Sequence, residues 1–306
     1  MKRILIVALM LMVAVPAMAK VGTFFYPEVP NPAAMVIDGN DDDWGWYPES
    51  LALTVENTWQ RYGTWYGKDD YDFVMLNAWT APPDNRIYTF CRVIDDTLSV
   101  ANPPMRWWAD DCIQMNIDAD YAGGNHLGKD LAQVANGQRQ IIRILPPADE
   151  PLLPNQTACF FSQLEFIDAP ELLWGLEPEF FEVAWTVLPA GAGNLSENVT
   201  YTYEWAGALW DIWGLSEAES VRHTFAMDDV IGLGYRIDDV DGFDDAEGSR
   251  CWYFPVDATG VETNAGFDTN SDVMPAYYAI AGPDPATAVE SESWGRIKSH
   301  MQSSLK

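Results

Sequence analysis

The strongest constraint on this chain is a cadence. Short apolar runs, many of them alternating apolar with polar residues, are cut every few positions by Gly, Asn, Asp or Pro: Ala52 to Val55, Asp72 to Ala78, Arg86 to Val93, Cys112 to Ile117, Gln140 to Leu145, Phe181 to Val187, Asn198 to Glu204, Val230 to Ile237 and Cys251 to Val256. In Arg86 to Val93 the apolar side chains recur at every second residue, the period of a half-buried strand, and Gln114 and Asn116 alternate with Ile113, Met115 and Ile117 in the same way. Many such runs at this spacing predict an all-β chain, an antiparallel β-sandwich of jelly-roll or immunoglobulin-like kind. The lead Tyr26-Pro27-Glu28-Val29-Pro30-Asn31-Pro32 is extended, because Pro lacks a backbone donor and restrains its predecessor. The Pro-punctuated stretch 146–180 reads as long surface loop carrying one or two strands. Helical period appears once, behind Gly282-Pro283-Asp284-Pro285, where Trp294, Ile297, Met301 and Leu305 predict a short C-terminal amphipathic helix over Ser291 to Leu305.

The start of the chain has a different signature. Lys2 and Arg3 precede an apolar stretch from Ile4 to Val15, Pro16 ends it, and Ala17-Met18-Ala19 supplies a small-residue cleavage pattern. These are the parts of a secretory signal peptide, and the stretch is shorter than the roughly 20 apolar residues of a membrane span. The expected organisation is therefore 1–19 signal peptide, 20–34 extended lead, 35–282 sandwich domain, and 283–306 linker and helix. The expected location is extracellular or periplasmic after cleavage near Ala19.

Charge narrows the partners. With 46 Asp and Glu against 17 Lys and Arg the formal charge is −29, which opposes nucleic acid and anionic membrane surfaces, both of which attract basic footprints. Cys91, Cys112, Cys159 and Cys251 are even in number in a chain bound for a disulfide-permissive compartment, and three pairings are open. Cys91 and Cys112 fit equally well as small buried hydrophobes. No hydrolase elbow, H-E-x-x-H or P-loop is present, so catalysis has no motif to rest on. His126, His223 and His300 are scattered and read as surface residues.

Four segments together resemble the family 9 carbohydrate-binding modules. Val36-Ile37-Asp38-Gly39 leading to Asp43-Trp44 matches the family's opening I-D-G…D-W. Tyr88 to Asp96, ending Val93-Ile94-Asp95-Asp96, matches its V-x-D-D strand end. Trp108-Ala109-Asp110-Asp111-Cys112-Ile113-Gln114-Met115-Asn116-Ile117-Asp118 matches W-x-x-D-[ST]-[IV]-E, with Cys112 in place of the small polar residue and Gln114 in place of the Glu. Ile231-Gly232-Leu233 through Asp241 matches the closing I-G strand before an acidic turn. The resemblance spans roughly 35 to 256. It implies a secreted β-sandwich that binds sugar through aromatic rings, is often appended to polysaccharide-degrading glycoside hydrolases, and holds calcium in some members.

The residues themselves offer candidates for that chemistry. A sugar ring has apolar C–H faces and a rim of hydroxyls, so it is met by indole planes beside planar donors and acceptors. With 14 Trp in the chain, the richest sets are Arg106, Trp107, Trp108 and Asp111, then Trp210 and Trp213, then Trp59 and Trp65. Trp44 and Trp185 read as packing. For calcium, Asp118 and Asp120 form one candidate pair and Asp239 and Asp241 another, since carboxylates converging on turns suit a hard, oxygen-seeking cation. The leading expectation is a saccharide binder without catalysis of its own, its partner an oligosaccharide or polysaccharide. Two rivals are a structural cell-surface or matrix scaffold and a haem-binding module on a related sandwich. The C-terminal helix is the expected docking element for a surface or enzyme partner.

Overall fold

The computed structural model describes residues 22–100, 110–124, 137–144, 159–161, 174–241, 250–268 and 270–283. The signal-like segment, Arg106, Trp107, Trp108 and the helix expected over Ser291 to Leu305 lie outside them. Among the described residues fifteen strands form. They are β1 (Thr23–Pro27), β2 (Leu53–Thr54), β3 (Thr58–Arg61), β4 (Tyr71–Trp79), β5 (Ile87–Thr97), β6 (Cys112–Asp118), β7 (Gln138–Arg143), β8 (Cys159–Phe161), β9 (Phe181–Leu188), β10 (Glu197–Gly207), β11 (Trp210–Ile212), β12 (Val221–Arg222), β13 (Val230–Val240), β14 (Arg250–Pro255) and β15 (Ala276–Ile280). Every alternating run named from the sequence falls on one of them. No helix among the described residues is long and apolar enough to cross a membrane.

Two main sheets form the sandwich. The larger runs β1-β15-β13-β6-β7-β8, and the smaller runs β2-β4-β5-β10-β9. One edge of β13 is shared: its first residues pair with β15 and its last with β14, and β3 continues outward from β14. The strand ladders are antiparallel except β1 with β15, which run parallel with Thr23 opposite Ala276. The short ribbon β11–β12 closes one end.

Inward rows from both sheets make the core. Phe73 and Met75, Cys91 and Val93, and Tyr201, Tyr203 and Trp205 from the smaller sheet meet Ile113, Met115 and Ile117, and Leu233, Tyr235 and Ile237 from the larger. Face-to-face sheets pack about 10 Å apart, and large rings fill such a gap well. Much of the Trp and Tyr surplus is therefore structural: Trp79, Trp205, Trp210, Tyr71, Tyr235 and Tyr253 are among the largest fully buried side chains or nearly so. Cys91, Cys112 and Cys251 are buried and form no disulfide among the described residues, which matches the small-hydrophobe reading of Cys91 and Cys112; the side chain of Cys159 lies outside the described residues.

The outward face of the smaller sheet is covered by the chain's own N-terminal segment. Val74, Leu76, Ala78, Tyr88, Phe90 and Ala206 pack against Trp44, Tyr47, Ala52 and Val29. Glu204 pins this cover: its carboxylate accepts from Trp44 Nε1 at 2.9 Å, Asp38 N at 2.9 Å and Gly39 N at 2.8 Å. Gly39 has φ +82°, and a Cβ there would lie 2.9 Å from the Trp185 carbonyl carbon, so the approach needs glycine. The I-D-G…D-W segment is thus a packing device, and Trp44, fully buried, is core as expected.

Candidate functional site

The outward face of the larger sheet is polar. Strand alternation puts Ile113, Met115 and Ile117 inward, so Cys112, Gln114 and Asn116 point outward. Register then sets Arg236 opposite Gln114, Asp238 opposite Cys112, Arg139 opposite Asn116, and Arg143 opposite Cys112. The side chains join in one network. Arg236 holds Asp238 through Nε and Nη2 at 2.7 Å each, and Gln114 Nε2 donates to the same carboxylate at 2.6 Å. Gln114 Oε1 accepts from Arg139 Nη2 at 2.6 Å, and Arg143 pairs with Asp110. Asp238 is fully buried, and burial outweighs the Arg236 charge, raising its pKa to about 6.

Gln at 114, where the resemblance expects Glu, has a local reason here. A carboxylate at that position would face Asp238 at hydrogen-bond distance, whereas the amide donates to Asp238 and accepts from Arg139. Asn116 Nδ2 is buried with no acceptor among the described residues.

Aromatic rings border this network on one side. The half-buried Trp252 of β14 has the Arg236 guanidinium 3.8 Å from its ring centroid, and Tyr62 meets its edge at 4.6 Å. Trp59 stacks on Phe254 at 4.7 Å and 18°, and its Nε1 donates to Thr263 O at 2.8 Å.

The sequence-predicted residues distribute unevenly around this face. Trp59 lies at its border. Trp65 packs against the core, with Nε1 donating to Tyr71 O at 2.7 Å. Trp210 and Trp213 are 2% and 5% exposed, interlocked with Trp174 and Phe180, which corrects the expectation of an exposed platform there: the β11–β12 ribbon turns both rings inward to plug the sandwich end. Asp111 is fully buried and accepts from Ser99 N and from Val240 N at 2.7 Å, a strand-tethering role. Arg106, Trp107 and Trp108 lie outside the described residues.

A second cluster is acidic. Asp95 ends the inward row of β5 and Asp239 ends that of β13, so the two sheets meet at carboxylates where the core stops. Ligand oxygens of Asp95, Asp239 and Asp241 lie within 4.8 Å of one another, as do those of Asp70, Asp96 and Asp241. Tyr201 Oη donates to Asp95 at 3.2 Å and Tyr253 Oη to Asp239 at 3.1 Å, and among the described residues no Lys or Arg pairs with the group. Burial first, and then like charge, push Asp95 to about 7, Asp241 to about 6 and Asp239 well above the usual range. An all-carboxylate set of this kind fits a hard cation such as calcium. Asp118 and Asp120 are not brought to it. Asp118 caps its own turn, accepting from Gly123 N at 2.8 Å and Ala122 N at 3.3 Å.

His223 is a further correction. Expected at the surface, it is buried between Asp211, 2.7 Å from Nδ1, and Asp229, 2.6 Å from Nε2, because its backbone N, just past β12, donates to Leu209 O at 2.9 Å and its ring meets Phe225 edge-on. Both ring nitrogens face carboxylates, which favours the doubly protonated ring and raises its pKa against the opposing effect of burial.

Comparison of the fold with solved structures then decides its type. A family 9 carbohydrate-binding module from Caldicellulosiruptor kristjanssonii in complex with cellotriose aligns with 87% of this chain and 97% of its own at a TM-score of 0.50 and 14% identity. This chain has the family 9 module fold. A structure of a family 9 module from the same organism in complex with glucose aligns at a TM-score of 0.48 and 12% identity, over 86% of this chain and 97% of its own. No protein-family model matches the sequence and no curated protein matches it. Within the family 9 fold, the polar outward face and its aromatic border stand on the larger sheet, and the acidic cluster closes the mouth between the two sheets.

Proposed function

We propose that this protein is a secreted, non-catalytic saccharide-binding module whose site is the polar outward face of the larger sheet. The observation that carries the reading is the network of Arg236, Asp238, Gln114 and Arg139, in which Arg236 lies under the indole of Trp252. It combines planar donors and acceptors in fixed orientation with a ring face, the two things a sugar requires. The unsatisfied Asn116 Nδ2 supports a ligand that brings its own acceptors. The cellotriose in the aligned module supports a neutral glucan as the class to try first. Export through the N-terminal signal-like segment and cleavage near Ala19 belong to the same reading.

Calcium belongs to it as well. Asp95, Asp239 and Asp241, with Asp70 and Asp96 beside them, would hold the ion, which supplies positive charge to carboxylates that otherwise repel across the mouth of the sandwich. Its contribution is to fasten the two sheets, leaving recognition to the polar face.

The test is intrinsic Trp fluorescence of the protein titrated with cello-oligosaccharides, repeated with Trp252→Ala and with Gln114→Glu. A saturable change in the native protein, lost in the first variant and weakened about tenfold or more in the second, is expected; the loss of a buried charge-assisted hydrogen bond is of that size. Equal responses in all three proteins would remove the site from this face.

A further inference from the structure

The outward face of the larger sheet ends in an exposed aromatic corner. Register puts Phe25 of β1 beside Tyr278 of β15, and Tyr278 beside Val230 of β13, so the three side chains stand abreast on one rung across the sheet. Their neighbours Phe24, Tyr26, Tyr277 and Ile231 alternate into the core, which leaves this rung outward. Phe25 is 45% exposed and Tyr278 37%, with ring centroids 6.0 Å apart and tilted by 39°. Asn116, Gln114, Arg236 and Asp238, farther along the same face, are buried.

A third ring is held at the same corner. Tyr121 stands in the left-handed region at φ +51°, and Asp118 fixes its turn: the carbonyl accepts from Tyr121 N at 3.2 Å and the carboxylate from Gly123 N at 2.8 Å. The left-handed conformation costs a residue with a Cβ on the order of 1–2 kcal/mol. Its effect here is to lay the Tyr121 ring over Gly232, one rung in from Val230, where a Cβ would meet the ring at 3.2 Å. Tyr121 and Tyr278 are electrostatic neighbours. Asn116 follows on the next rung, opposite Gly234, with its buried Nδ2 lacking an acceptor among the described residues.

Size and charge limit what can occupy such a corner. Two rings and the half-buried Val230 cover far less than the roughly 1,200–2,000 Å² that stable interfaces between proteins bury. A formal charge of −29 opposes a second copy and any anionic polymer. Ring faces beside phenolic hydroxyls suit the C–H face and hydroxyl rim of a neutral sugar. We propose that the corner is a further subsite of the saccharide face, so that the ligand is a chain of several neutral hexose units. One end stacks on Phe25 and Tyr278 beside Tyr121, and the other reaches Asn116, four residues along β13 from the aromatic rung and so about 13 Å away. The proposal rests on the reading of that face as a sugar site and adds to it a preference for length.

Isothermal titration calorimetry on the full-length protein, comparing the disaccharide and the hexasaccharide of the cello, xylo and manno series, tests it. In at least one series the hexasaccharide should bind about tenfold or more tightly than the disaccharide, the scale of one or two ring contacts. Phe25→Ala combined with Tyr278→Ala should bring the hexasaccharide down to the native protein's affinity for the disaccharide, whereas Tyr278→Phe, which keeps the ring, should retain most of the gain. Neither ring enters the core, and the urea midpoint of the double variant checks that it is folded. A hexasaccharide bound equally by the native protein and the double variant, or no gain with length, would overturn the inference and leave the sugar reading of the face standing. No heat with any of the sugars would overturn both. A native dimer that the double variant turns into a monomer in sedimentation would also overturn it, assigning the corner to contact between copies.

Discussion

The two sheets share an inward chemistry and differ in the chemistry of their outer rows, both of which are buried. On the smaller sheet the outer row is apolar, and the chain covers it with its own residues 29–52 pinned through Trp44 to Glu204. On the larger sheet the outer row is Cys112, Gln114, Asn116, Arg139, Arg236 and Asp238, hydrogen-bonded laterally. Apolar replacements of a buried ionic network are often neutral or stabilising, so stability alone does not account for such a face. The difference teaches where to look for function in a sandwich: on the outward face whose polar groups are arranged at a cost the fold did not require.

That contrast can be broken in order of effect. The largest loss is expected at Trp44→Ala, which empties the cover of the smaller sheet and leaves Glu204 buried without its indole donor. Urea unfolding should show a loss of about 3–5 kcal/mol, with sugar binding retained at temperatures where the variant is folded. Next, Arg236→Ala should cost roughly 3 kcal/mol by stranding Asp238. The double variant Arg236→Met with Asp238→Leu should recover most of that and still fail to bind sugar. A double variant as unstable as the single one would mean that the network is structural, and the contrast between the sheets would collapse.

The acidic mouth responds to pH. Asp95 and Asp241 have folded pKa values raised to about 7 and about 6, as does Glu204 at about 7, chiefly by burial. A raised folded value means the protonated form is favoured in the native state. The stabilisation is therefore complete below the unfolded carboxylate range near pH 4 and is lost as pH rises through 6 to 7. Without divalent cations the melting temperature should fall between pH 5 and pH 8 by several degrees, the scale of on the order of 1–2 kcal/mol in a chain of this size. Millimolar calcium should flatten that slope, and Asp239→Asn should remove the calcium effect. Smallest is His223, whose raised pKa has the same sign. His223→Gln should lose about 1 kcal/mol at pH 5 and progressively less above the folded pKa of the imidazole, as measured by parallel urea titrations.

How far the sequence carried differs between fold and site. The long strands were legible because a half-buried strand writes a period of two, as in Ile113 to Ile117. The short edge pieces were not: β1 is Thr-Phe-Phe-Tyr-Pro and β15 is Ala-Tyr-Tyr-Ala-Ile, with no regular polar alternation to mark them. The candidate site was visible only in fragments. Gln114 stood out as a departure from the family pattern, but nothing in the order of residues says that Arg236 and Arg139 sit beside it; that follows from strand register. The Trp210 and Trp213 cluster misled because a wide core absorbs indoles. Asp239 and Asp241 were noticed as a pair, while Asp70, Asp95 and Asp96 join them only when the two sheets close.

The parallel pairing of β1 with β15 has a consequence for how the molecule comes into being. Thr23 finds its partner at Ala276, so the edge of the larger sheet cannot form while the last strand is still inside the ribosome. Contacts this distant in sequence make folding slow and leave strand edges unpaired meanwhile. A nascent chain built this way holds one edge of its larger sheet vacant until its final strand has emerged, whatever its earlier hairpins have formed.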